Sequence, residues 1–513
     1  MPLSILPALL AGALLASGTA EQRGKEIYLH GASPSGREIT ASLGADAAGL
    51  PGAALTCAGC HGQDGRGQAE GGIEPPDITW QSLTKPYGHR HADGREHPAY
   101  TEHSVGRAIT MGIDPAGNRL GVAMPRYSMT ARELGDLVAY LKRVGTERDR
   151  GMTDRTIRIG AVVPAGGPLA RAGREMEAVL GAYFQELNAR SGINGRHLEL
   201  RFLRDDGSPL APRLQRFLAG EGVFALLDTR ALAADPEIVE QAEASGIPTL
   251  VPLAAFPGED AAAHRHVFYL LSGLQDQGRA LIDFAAAKPG AANPRVAIVY
   301  PQIGRLSGVA DAMEAQCRQA GCSSAIKLGY APGTFAAAKV ASDLKAGRSQ
   351  VVCFLGSGSE LESLVEATAG FAPAPTFLLA GALTGQEVFE ASGRSASEIF
   401  VGYPMLPSGS PEGLDDFREL AKRKRLSREH VPLQISAYGA ARVLVEGLRR
   451  AGRDLSREKL LGELEAFYEF DSGLFPPLTF GPNRRVGSSG AYVVAVDRDR
   501  RRFVPVGGWI AAK

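Results

Sequence analysis

The sequence has no excess of charge of either sign, no familiar catalytic motif and no long apolar run after its first twenty residues. Its 56 Lys and Arg residues balance 56 Asp and Glu residues, so nothing in the composition points to nucleic acid as a partner. G-x-S-x-G, Walker A and H-E-x-x-H patterns are missing, and we therefore expect no enzymatic activity. A chain of 513 residues is too long for one core and predicts two to four domains.

The first twenty residues are uncharged and mostly apolar. This segment is short and is broken by Pro and Gly, which disfavours a membrane span. Gly18 and Ala20 precede Glu21, which suits signal-peptidase cleavage after Ala20, although the segment lacks the usual Lys or Arg near its start. We predict a signal peptide at residues 1–20 and a periplasmic protein. An uncleaved membrane anchor is the alternative.

Cys57, Cys60 and His61 form a C-x-x-C-H pattern, which is found in redox dithiols, zinc half-sites and haem attachment sites. A zinc site needs two more ligands, and the sequence has no second C-x-x-C and no H-x-x-x-H. A thioredoxin-like pair would open a long helix, whereas three glycines follow within the next six residues here. The spacing favours covalent haem: two thiols add to the vinyl groups and the imidazole reaches the iron.

The segments on both sides of this pattern resemble a class I cytochrome c. "RGKEIYLHG" at 23–31 is similar to the N-terminal helix of that family, with Gly24 and Tyr28 on its packing face. "AMPRYSMTARELGDLVAYLKRVG" at 123–145 is similar to its axial-methionine loop and C-terminal helix. The resemblance implies an all-α cytochrome c domain over residues 21–146 that carries one covalent haem c.

The resemblance also implies that His61 and Met124 are the two axial ligands of the haem iron. His/Met ligation raises the reduction potential of a haem. Three other residues are rivals for the sixth position: Met111, Met129 and His103. We expect Met111 to pack inward at a helix end and Met129 to pack locally before the C-terminal helix.

A histidine-rich segment at 87–104 lies between the haem pattern and Met124. It contains His89, His91, His97 and His103. Such tracts can bind metal, but these spacings match no defined site. The alternative is a solvated insertion over the haem edge that docks a redox partner, and the role of the segment stays open.

A polar, charged stretch, "GTERDRGMTDRT" at 145–156, marks a change of pattern. We assign residues 147–155 as a linker. Beyond it, apolar strand-like runs alternate with helical stretches, which predicts βαβ units and mostly parallel sheets in two doubly wound lobes. The predicted strands lie at 156–164, 198–207, 223–228, 247–252, 295–301, 351–356 and 375–381.

The segment order over 156–513 resembles type I periplasmic solute-binding proteins, especially the branched-chain amino-acid-binding branch that serves ABC transporters. The stretch 157–209 carries most of the resemblance, and 243–255, 434–452 and 478–496 continue it. It implies a two-lobed α/β fold, an unknown small-molecule ligand and an ABC permease as one candidate partner.

Family members hold an amino-acid ligand with a Ser/Thr-rich loop, a small-residue loop, an aromatic residue and an acidic residue. In this sequence Thr229, Ala254 and Ala255 keep part of the first two features. Ser357 stands near the aromatic position and Gly381 near the acidic one. An ammonium group without a carboxylate partner is costly to desolvate, so we do not expect an ordinary amino-acid ligand.

Two arginines and two tyrosines are further candidates for the cleft. Arg230 and Arg171 indicate an anionic or polar ligand, unless they are surface residues. Tyr330 and Tyr403 line the cleft or pack in the core.

Three cysteines lie in the second part of the chain. Cys317 and Cys322 flank a predicted helix end and are candidates for a local disulfide in an oxidising periplasm. Cys353 lies in an apolar strand and is expected to be a buried small hydrophobe.

These features favour a periplasmic electron-transfer protein, in which a mono-haem cytochrome is fused to a domain that binds a small molecule or docks a redox partner such as a dehydrogenase or another cytochrome. The alternatives are a substrate-binding protein for an ABC transporter and a ligand or redox sensor, each with an accessory haem.

Overall fold

The computed structural model describes residues 19–43, 49–67, 74–91, 93–146, 148–230, 236–257, 263–288, 293–383, 385, 387–392, 397–405, 414–497 and 499–512. The predicted signal peptide lies almost entirely outside these ranges. The chain divides into two compact units, Met1–Asp149 and Arg150–Lys513. No helix among the described residues is both long enough and apolar enough to cross a membrane.

The first unit is mainly helical, as predicted, but it also contains short strands. Strands β1, β2 and β5 form a small antiparallel sheet, and β3 pairs with β4 in a hairpin. The domain therefore has the predicted helices and, in addition, short strands that the all-α prediction did not include. Its described elements are α1 (Ala20–His30), β1 (Thr40–Ser42), β2 (Leu50–Pro51), α2 (Cys57–His61), α3 (Trp80–Leu83), β3 (His89–Arg90), β4 (Glu96–His97), α4 (Glu102–Met111), β5 (Arg126–Ser128) and α5 (Ala131–Leu141).

Helices α1 and α5 pack closely, and a glycine makes the contact possible. A Cβ atom on Gly24 would lie 1.9 Å from the backbone oxygen of Asp136. The rings of Tyr28 and Tyr140 meet beside this crossing with centroids 5.3 Å apart. Arg23 adds two hydrogen bonds to the Asp136 carboxylate, at 2.7 and 2.6 Å. The predicted packing of the N-terminal and C-terminal helices is confirmed.

Helix α5 begins and packs as its sequence pattern predicts. The Thr130 side chain accepts a hydrogen bond from the backbone of Glu133, whose own side chain bonds back to the backbone of Thr130. Leu137, Val138 and Leu141 are buried in the domain core. The capping box and the apolar repeat therefore fix both the start of the helix and the face that enters the core.

The second unit consists of two α/β lobes, which confirms the predicted fold class. The first lobe contains β6 (Thr156–Pro164), α6 (Ala170–Ala189), β7 (His197–Asp205), α7 (Leu210–Phe217), β8 (Ala225–Asp228), α8 (Pro236–Ser245), β9 (Thr249–Val251), β10 (Val267–Tyr269), α14 (Asp415–Lys424), α15 (Val431–Ala451) and α16 (Arg457–Glu465). The second lobe contains α9 (Leu274–Ala287), β11 (Arg295–Pro301), α10 (Leu306–Gln319), β12 (Ser324–Tyr330), α11 (Ala337–Ala346), β13 (Val351–Phe354), α12 (Gly358–Ala367), β14 (Thr376–Ala380), α13 (Glu387–Ser392), β15 (Ile399–Tyr403), β16 (Gly490–Asp497), β17 (Arg502–Pro505) and β18 (Ile510–Ala511).

The sheet of the first lobe is parallel, with strand order β10-β9-β8-β6-β7. Apolar residues from both faces of β6 are buried, which explains why this strand reads as a nearly continuous apolar run. Part of the predicted linker joins this lobe: Met152 forms a bridge to Ile157, and Arg158 donates its backbone N–H to Gly151. The free connection is therefore shorter than residues 147–155.

The sheet of the second lobe has the order β12-β11-β13-β14-β15-β16-β17, and β18 also pairs with β16. It is parallel as far as β15, after which β16 and β17 run antiparallel. The order of the described elements carries the chain between the lobes three times. In the first lobe β6 lies between β7 and β8, and in the second lobe β11 lies between β12 and β13. The chain therefore winds in opposite directions from each of these strands. Ligands of doubly wound sheets bind at the carboxyl ends of the strands at this point.

Substitution of Gly24 by Ala is expected to loosen the contact between α1 and α5. The added methyl group meets backbone, so the helices must separate, at a cost of about 1–3 kcal/mol. Hydrogen exchange measured by mass spectrometry on the full chain should show faster exchange in the peptides of both helices. Gly135→Ala in α5 is the matched control, because a Cβ there meets nothing within 4 Å. Equal exchange in the two variants would contradict this account of the contact.

Candidate functional site

A cavity of about 490 Å³ lies inside the first unit, and Cys57, Cys60, His61 and Met124 all contribute to its wall. This volume is in the ordinary range for a buried ligand site. The predicted attachment and axial residues, which are far apart in sequence, therefore meet at one cavity. Much of the remaining wall is apolar and includes Leu83, Val105, Ile109, Leu120, Leu137 and Leu141.

The C-x-x-C-H residues form a short helix of their own, α2. The Thr56 side chain caps its start by accepting a hydrogen bond from the backbone N–H of Gly59 at 3.1 Å. Gly62 ends it with a φ of 74°. Gly67, with a φ of 88°, lets the chain pass against the backbone oxygen of Pro75, which a Cβ would approach to 2.0 Å. The glycines that predicted a loop after the motif are thus required by the turn.

His61 is buried and oriented by one backbone contact. Its Nδ1 lies 3.1 Å from the carbonyl oxygen of Pro76. Because a carbonyl can only accept, Nδ1 carries the proton and the lone pair remains on Nε2. Burial also lowers the pKa of His61 and favours the neutral ring. A neutral imidazole with a fixed tautomer is the form that binds a metal ion.

The Cys57 thiol is unsuited to be the attacking thiolate of a redox dithiol. Burial raises the pKa of Cys57 to about 12. A thioredoxin-like pair requires the opposite change, because the thiolate is the reactive form. This environment therefore disfavours the redox-dithiol reading of the C-x-x-C-H pattern.

Met124 sits in a loop that Arg126 holds in place. The Arg126 guanidinium donates hydrogen bonds to the backbone oxygens of Met124 and Leu120, the latter at 3.0 Å. The same guanidinium occupies the space beside Gly112, where a Cβ would lie 1.7 Å from Arg126 Nε. One side chain therefore ties the end of α4 to the loop that presents the methionine.

The three rivals of Met124 do not reach the cavity wall. Met111 is 62% exposed, so the expectation that it packs inward is wrong. Helix α4 ends at Met111, as expected, but Gly112 in the left-handed conformation turns the chain away and leaves the side chain in solvent. His103 is exposed on the same helix, and Met129 packs against the domain core.

Two buried tyrosines connect the domain core to the haem motif, and sequence reasoning assigned a role to neither hydroxyl. The Tyr28 hydroxyl donates to the backbone oxygen of Gly62 at 2.7 Å. The Tyr127 hydroxyl donates to the backbone oxygen of Leu55, also at 2.7 Å. Both acceptors flank α2, so these bonds fix the helix against the rest of the domain.

In the histidine-rich segment, β3 and β4 pair as a hairpin, and His103 lies on α4. His91 and His97 line the cavity together with Arg95, whereas His103 lies outside it. His91 Nε2 and His97 Nε2 are 2.9 Å apart. Among the described residues no cluster of three or more His, Cys, Asp or Glu side chains is arranged to hold a metal ion.

The cavity residues fit a haem. Two cysteines stand at the attachment spacing, a neutral imidazole and a thioether share the cavity wall, and the wall offers apolar surface to a porphyrin ring. Arg95 adds a cation to this wall, which suits the two carboxylates that every haem carries.

The residues predicted for the second unit lie at the carboxyl ends of strands, where ligands of such sheets bind. Thr229 and Arg230 follow β8, Ala254 and Ala255 follow β9, and Ser357 follows β13. Their placement agrees with the resemblance. Their contacts, however, are mostly internal to the protein.

The donors of Thr229 and Arg230 are already used within the first lobe. Both the backbone N–H and the hydroxyl of Thr229 donate to the backbone oxygen of Val162, the hydroxyl at 2.9 Å. The Arg230 guanidinium is 5% exposed and bonds to Asp228 at 2.9 and 3.0 Å and to Asp205 at 3.1 Å. This pairing argues against Arg230 as the site of an anionic ligand.

Ala254 and Ala255 lie in the segment between β9 and β10 of the first lobe. Both are buried, but Ala254 packs in the first lobe and Ala255 packs with Leu274 in the second. The backbone oxygen of Ala255 accepts a hydrogen bond from Leu274 at 2.8 Å. These alanines therefore lie where the cores of the two lobes approach each other.

In the second lobe the predicted ligand positions are also occupied by local contacts. Ser357 caps α12 in a reciprocal capping box with Glu360. Tyr330 donates its hydroxyl to the Glu360 carboxylate at 2.8 Å. A Cβ on Gly381 would lie 2.2 Å from the Tyr403 ring. Tyr403 therefore fills the space where relatives are expected to place an acidic side chain.

Three further sequence predictions concern Arg171, the Cys317–Cys322 pair and Cys353. Arg171 is 60% exposed and pairs with Glu429 at 2.7 Å, so it is a surface residue. Cys317 and Cys322 are free thiols in this structure, and the disulfide between them stays a prediction. Cys353 is fully buried in β13, as expected, and burial raises the pKa of its thiol.

Substitution of Arg230 by Gln is expected to destabilise the second unit. It leaves the buried Asp228 carboxylate without its cation, which costs about 3–5 kcal/mol. Denaturant unfolding followed by circular dichroism should show the loss. Arg171→Gln, on the surface, should change stability by no more than about 0.5 kcal/mol. If Arg230→Gln folds as stably as this control, the internal ion pair is not the role of Arg230.

Comparison with known families agrees with both parts of the fold. The family model described as periplasmic binding protein matches residues 156–501. The model described as cytochrome c matches residues 49–145. The second match includes the C-x-x-C-H motif, Met124 and helix α5, and a cytochrome c domain implies covalently attached haem c.

Several known proteins are similar to the second unit. Leu/Ile/Val-binding protein homolog 3 of Brucella melitensis is 22% identical over 298 residues, which cover 58% of this chain and 79% of that protein. A leucine-binding protein of Thermotoga maritima superposes with a TM-score of 0.54 at 19% identity, covering 69% of this chain and 99% of that one. A fatty acid ABC transporter substrate-binding protein from Thermomonospora curvata gives 0.55 at 16% identity, covering 72% and 95%. The chain therefore belongs to the periplasmic binding protein family and carries a cytochrome c domain ahead of the binding-protein fold.

Proposed function

We propose that this protein is a periplasmic electron carrier in which one covalent haem c transfers single electrons and the binding-protein unit recognises what the haem serves. The observation that carries the proposal is the meeting of Cys57, Cys60, His61 and Met124 at one cavity. Periplasmic location is supported by the family of the second unit and by the signal peptide predicted at residues 1–20.

In this proposal Cys57 and Cys60 would hold the haem through thioether bonds, and His61 and Met124 would bind its iron. Bound haem supplies an iron that accepts and releases one electron. The Pro76 carbonyl keeps the lone pair of His61 on Nε2, and Arg126 keeps the methionine loop in place. Little rearrangement is then needed when the charge of the iron changes.

With both residues as ligands the iron would have no open position, which favours electron transfer over haem catalysis. The apolar residues of the cavity wall would limit the access of water to a bound haem. A thioether ligand raises the reduction potential relative to a harder ligand. We therefore propose a carrier of relatively high potential that accepts electrons from a periplasmic dehydrogenase or another cytochrome.

The binding-protein unit is proposed to recognise either a small molecule other than an ordinary amino acid or the redox partner itself. The carboxylate-binding donors expected from the family are used internally at Thr229, and Tyr403 fills the space at Gly381. Fusion to the cytochrome raises the effective concentration of haem near whatever this unit binds.

A second candidate function is solute delivery to an ABC permease, with the haem as an accessory. The relatives of the second unit favour it, because several are named as Leu/Ile/Val-binding proteins. This candidate requires a ligand that the lobes bind tightly, whereas the proposed carrier does not.

Replacement of Met124 by Ala is expected to lower the reduction potential of the haem, because the thioether that favours the reduced iron is lost. Spectroelectrochemistry of the full protein measures the change, with the visible spectrum as a record of iron ligation. Met111→Ala is the matched control, since Met111 is exposed and outside the cavity. An unchanged potential in Met124→Ala would exclude Met124 as the axial ligand.

Leucine is expected to leave the stability of the protein unchanged. A ligand at one hundred times its dissociation constant stabilises a protein by about 2.7 kcal/mol, which denaturant unfolding readily detects. The solute-delivery candidate predicts such a gain with leucine, isoleucine or valine. The proposed carrier predicts none, and a clear gain would favour solute delivery instead.

A further inference from the structure

The β3–β4 hairpin brings three imidazoles of the cytochrome unit together. His89 pairs with His97 across the hairpin, and His91 follows β3. The ring centroid of His97 is 5.0 Å from that of His89 and 5.0 Å from that of His91. None of these rings has a role in the electron-carrier proposal so far, although two of them line the haem cavity.

The hydrogen bonds of this histidine hairpin fix its protons. His97 Nδ1 lies 2.8 Å from the backbone oxygen of Pro98, so Nδ1 carries the proton and Nε2 of the neutral ring is an acceptor. His91 Nε2 lies 2.9 Å from that acceptor and must therefore donate to it. The free lone pair of His91 is on Nδ1. A proton added there keeps the bond to His97 and makes it charge-assisted.

Charged groups of both signs face the three rings. Arg95 and Asp93 face His91, Asp114 faces His97, and Lys85 faces His89. Burial, followed by neighbouring positive charge, lowers the pKa of His91 and of His89. His89 and His91 are thus mostly neutral at pH 7 and take up protons on the acid side.

The same hairpin supplies polar groups to the cavity wall. His91, Arg95 and His97 all line the cavity. Asp93 and Asp114 hold the Arg95 guanidinium at 2.8 and 3.5 Å, and Asp114 itself is fully buried. The charge of Arg95 is therefore fixed in position beside the ring pair rather than free to move into solvent.

We propose that the His91–His97 pair is a proton-binding site coupled to the haem, so that reduction of the iron by one electron is accompanied by uptake of a proton at His91 Nδ1. This inference rests on the proposed electron-transfer function. The electron comes from the one-electron donor that reduces the haem, and the proton comes from water. No other bond forms or breaks.

The coupling follows from charge. Reduction makes the haem more negative by one unit, which favours a positive imidazole at the same cavity wall. By reciprocity, a bound proton favours reduction by the same factor. Because a bound proton favours reduction, the reduction potential of the haem rises as the pH falls. Because the pKa of His91 is lowered, this rise occurs below the ordinary histidine range, and the potential is constant at higher pH.

Spectroelectrochemical titration of the haem-loaded full-length protein between pH 8 and pH 5 tests the proposal. We expect the reduction equilibrium to shift by about fivefold or more toward the reduced form at low pH, which is about 40 mV for one electron. His91→Gln should abolish most of this shift. His103→Gln, an exposed histidine of the same unit outside the cavity, should retain it.

A potential that is independent of pH in the unaltered protein would overturn the proposal, and so would an equal shift in His91→Gln and the unaltered protein. If His91→Gln fails to load haem, NMR titration of the imidazoles in the oxidised and reduced unaltered protein decides. The His91 pKa must then be higher in the reduced state, and equal values contradict the coupling. Absence of covalent haem would instead contradict the electron-carrier proposal, so the two failures are distinguishable.

Discussion

The hydrogen bond between His61 Nδ1 and the carbonyl oxygen of Pro76 is the contact on which the haem site depends. It fixes the tautomer of a buried ring and orients one of the two side chains proposed to bind the iron. Several neighbouring contacts hold the His61 ring and its helix in this geometry. Thr56 caps the helix of the motif, Gly62 ends it, and the Tyr28 hydroxyl ties its end to the contact between the terminal helices of the domain.

The two units differ in how their polar groups are used. In the cytochrome unit, polar and sulfur-containing side chains converge on a cavity that fits a haem. In the binding-protein unit, the side chains at the strand ends mostly satisfy one another, as the Arg230 ion pairs and the Ser357 cap show. A buried donor that already has a partner gains little from a ligand. This contrast is why we assign the chemistry to the first unit and recognition to the second.

Local patterns in the sequence predicted the features whose causes are local. The capping box of α5 and the alternation of strands and helices were recognisable from spacing, whereas the packing role of Gly24 was implied by the resemblance to a class I cytochrome c. Features that depend on the packing of distant segments could not be recognised in this way. They are the ion pair of Arg230 with Asp205, the hydrogen bond of Arg126 to the methionine loop, and the exposure of Met111. The "MPRYS" stretch contains two residues whose roles the sequence analysis missed. Arg126 bonds to the backbone of the methionine loop, and the Tyr127 hydroxyl bonds to the backbone of Leu55 beside the haem motif.

Intact mass spectrometry of the protein isolated from its own periplasm tests the central claim most directly. Under denaturing conditions, the account predicts a chain that is cut after Ala20 and heavier by one haem, because thioether bonds survive unfolding. A chain without that increment would contradict the assignment of Cys57, Cys60 and His61 as a haem attachment site, and with it the role of the protein as an electron carrier.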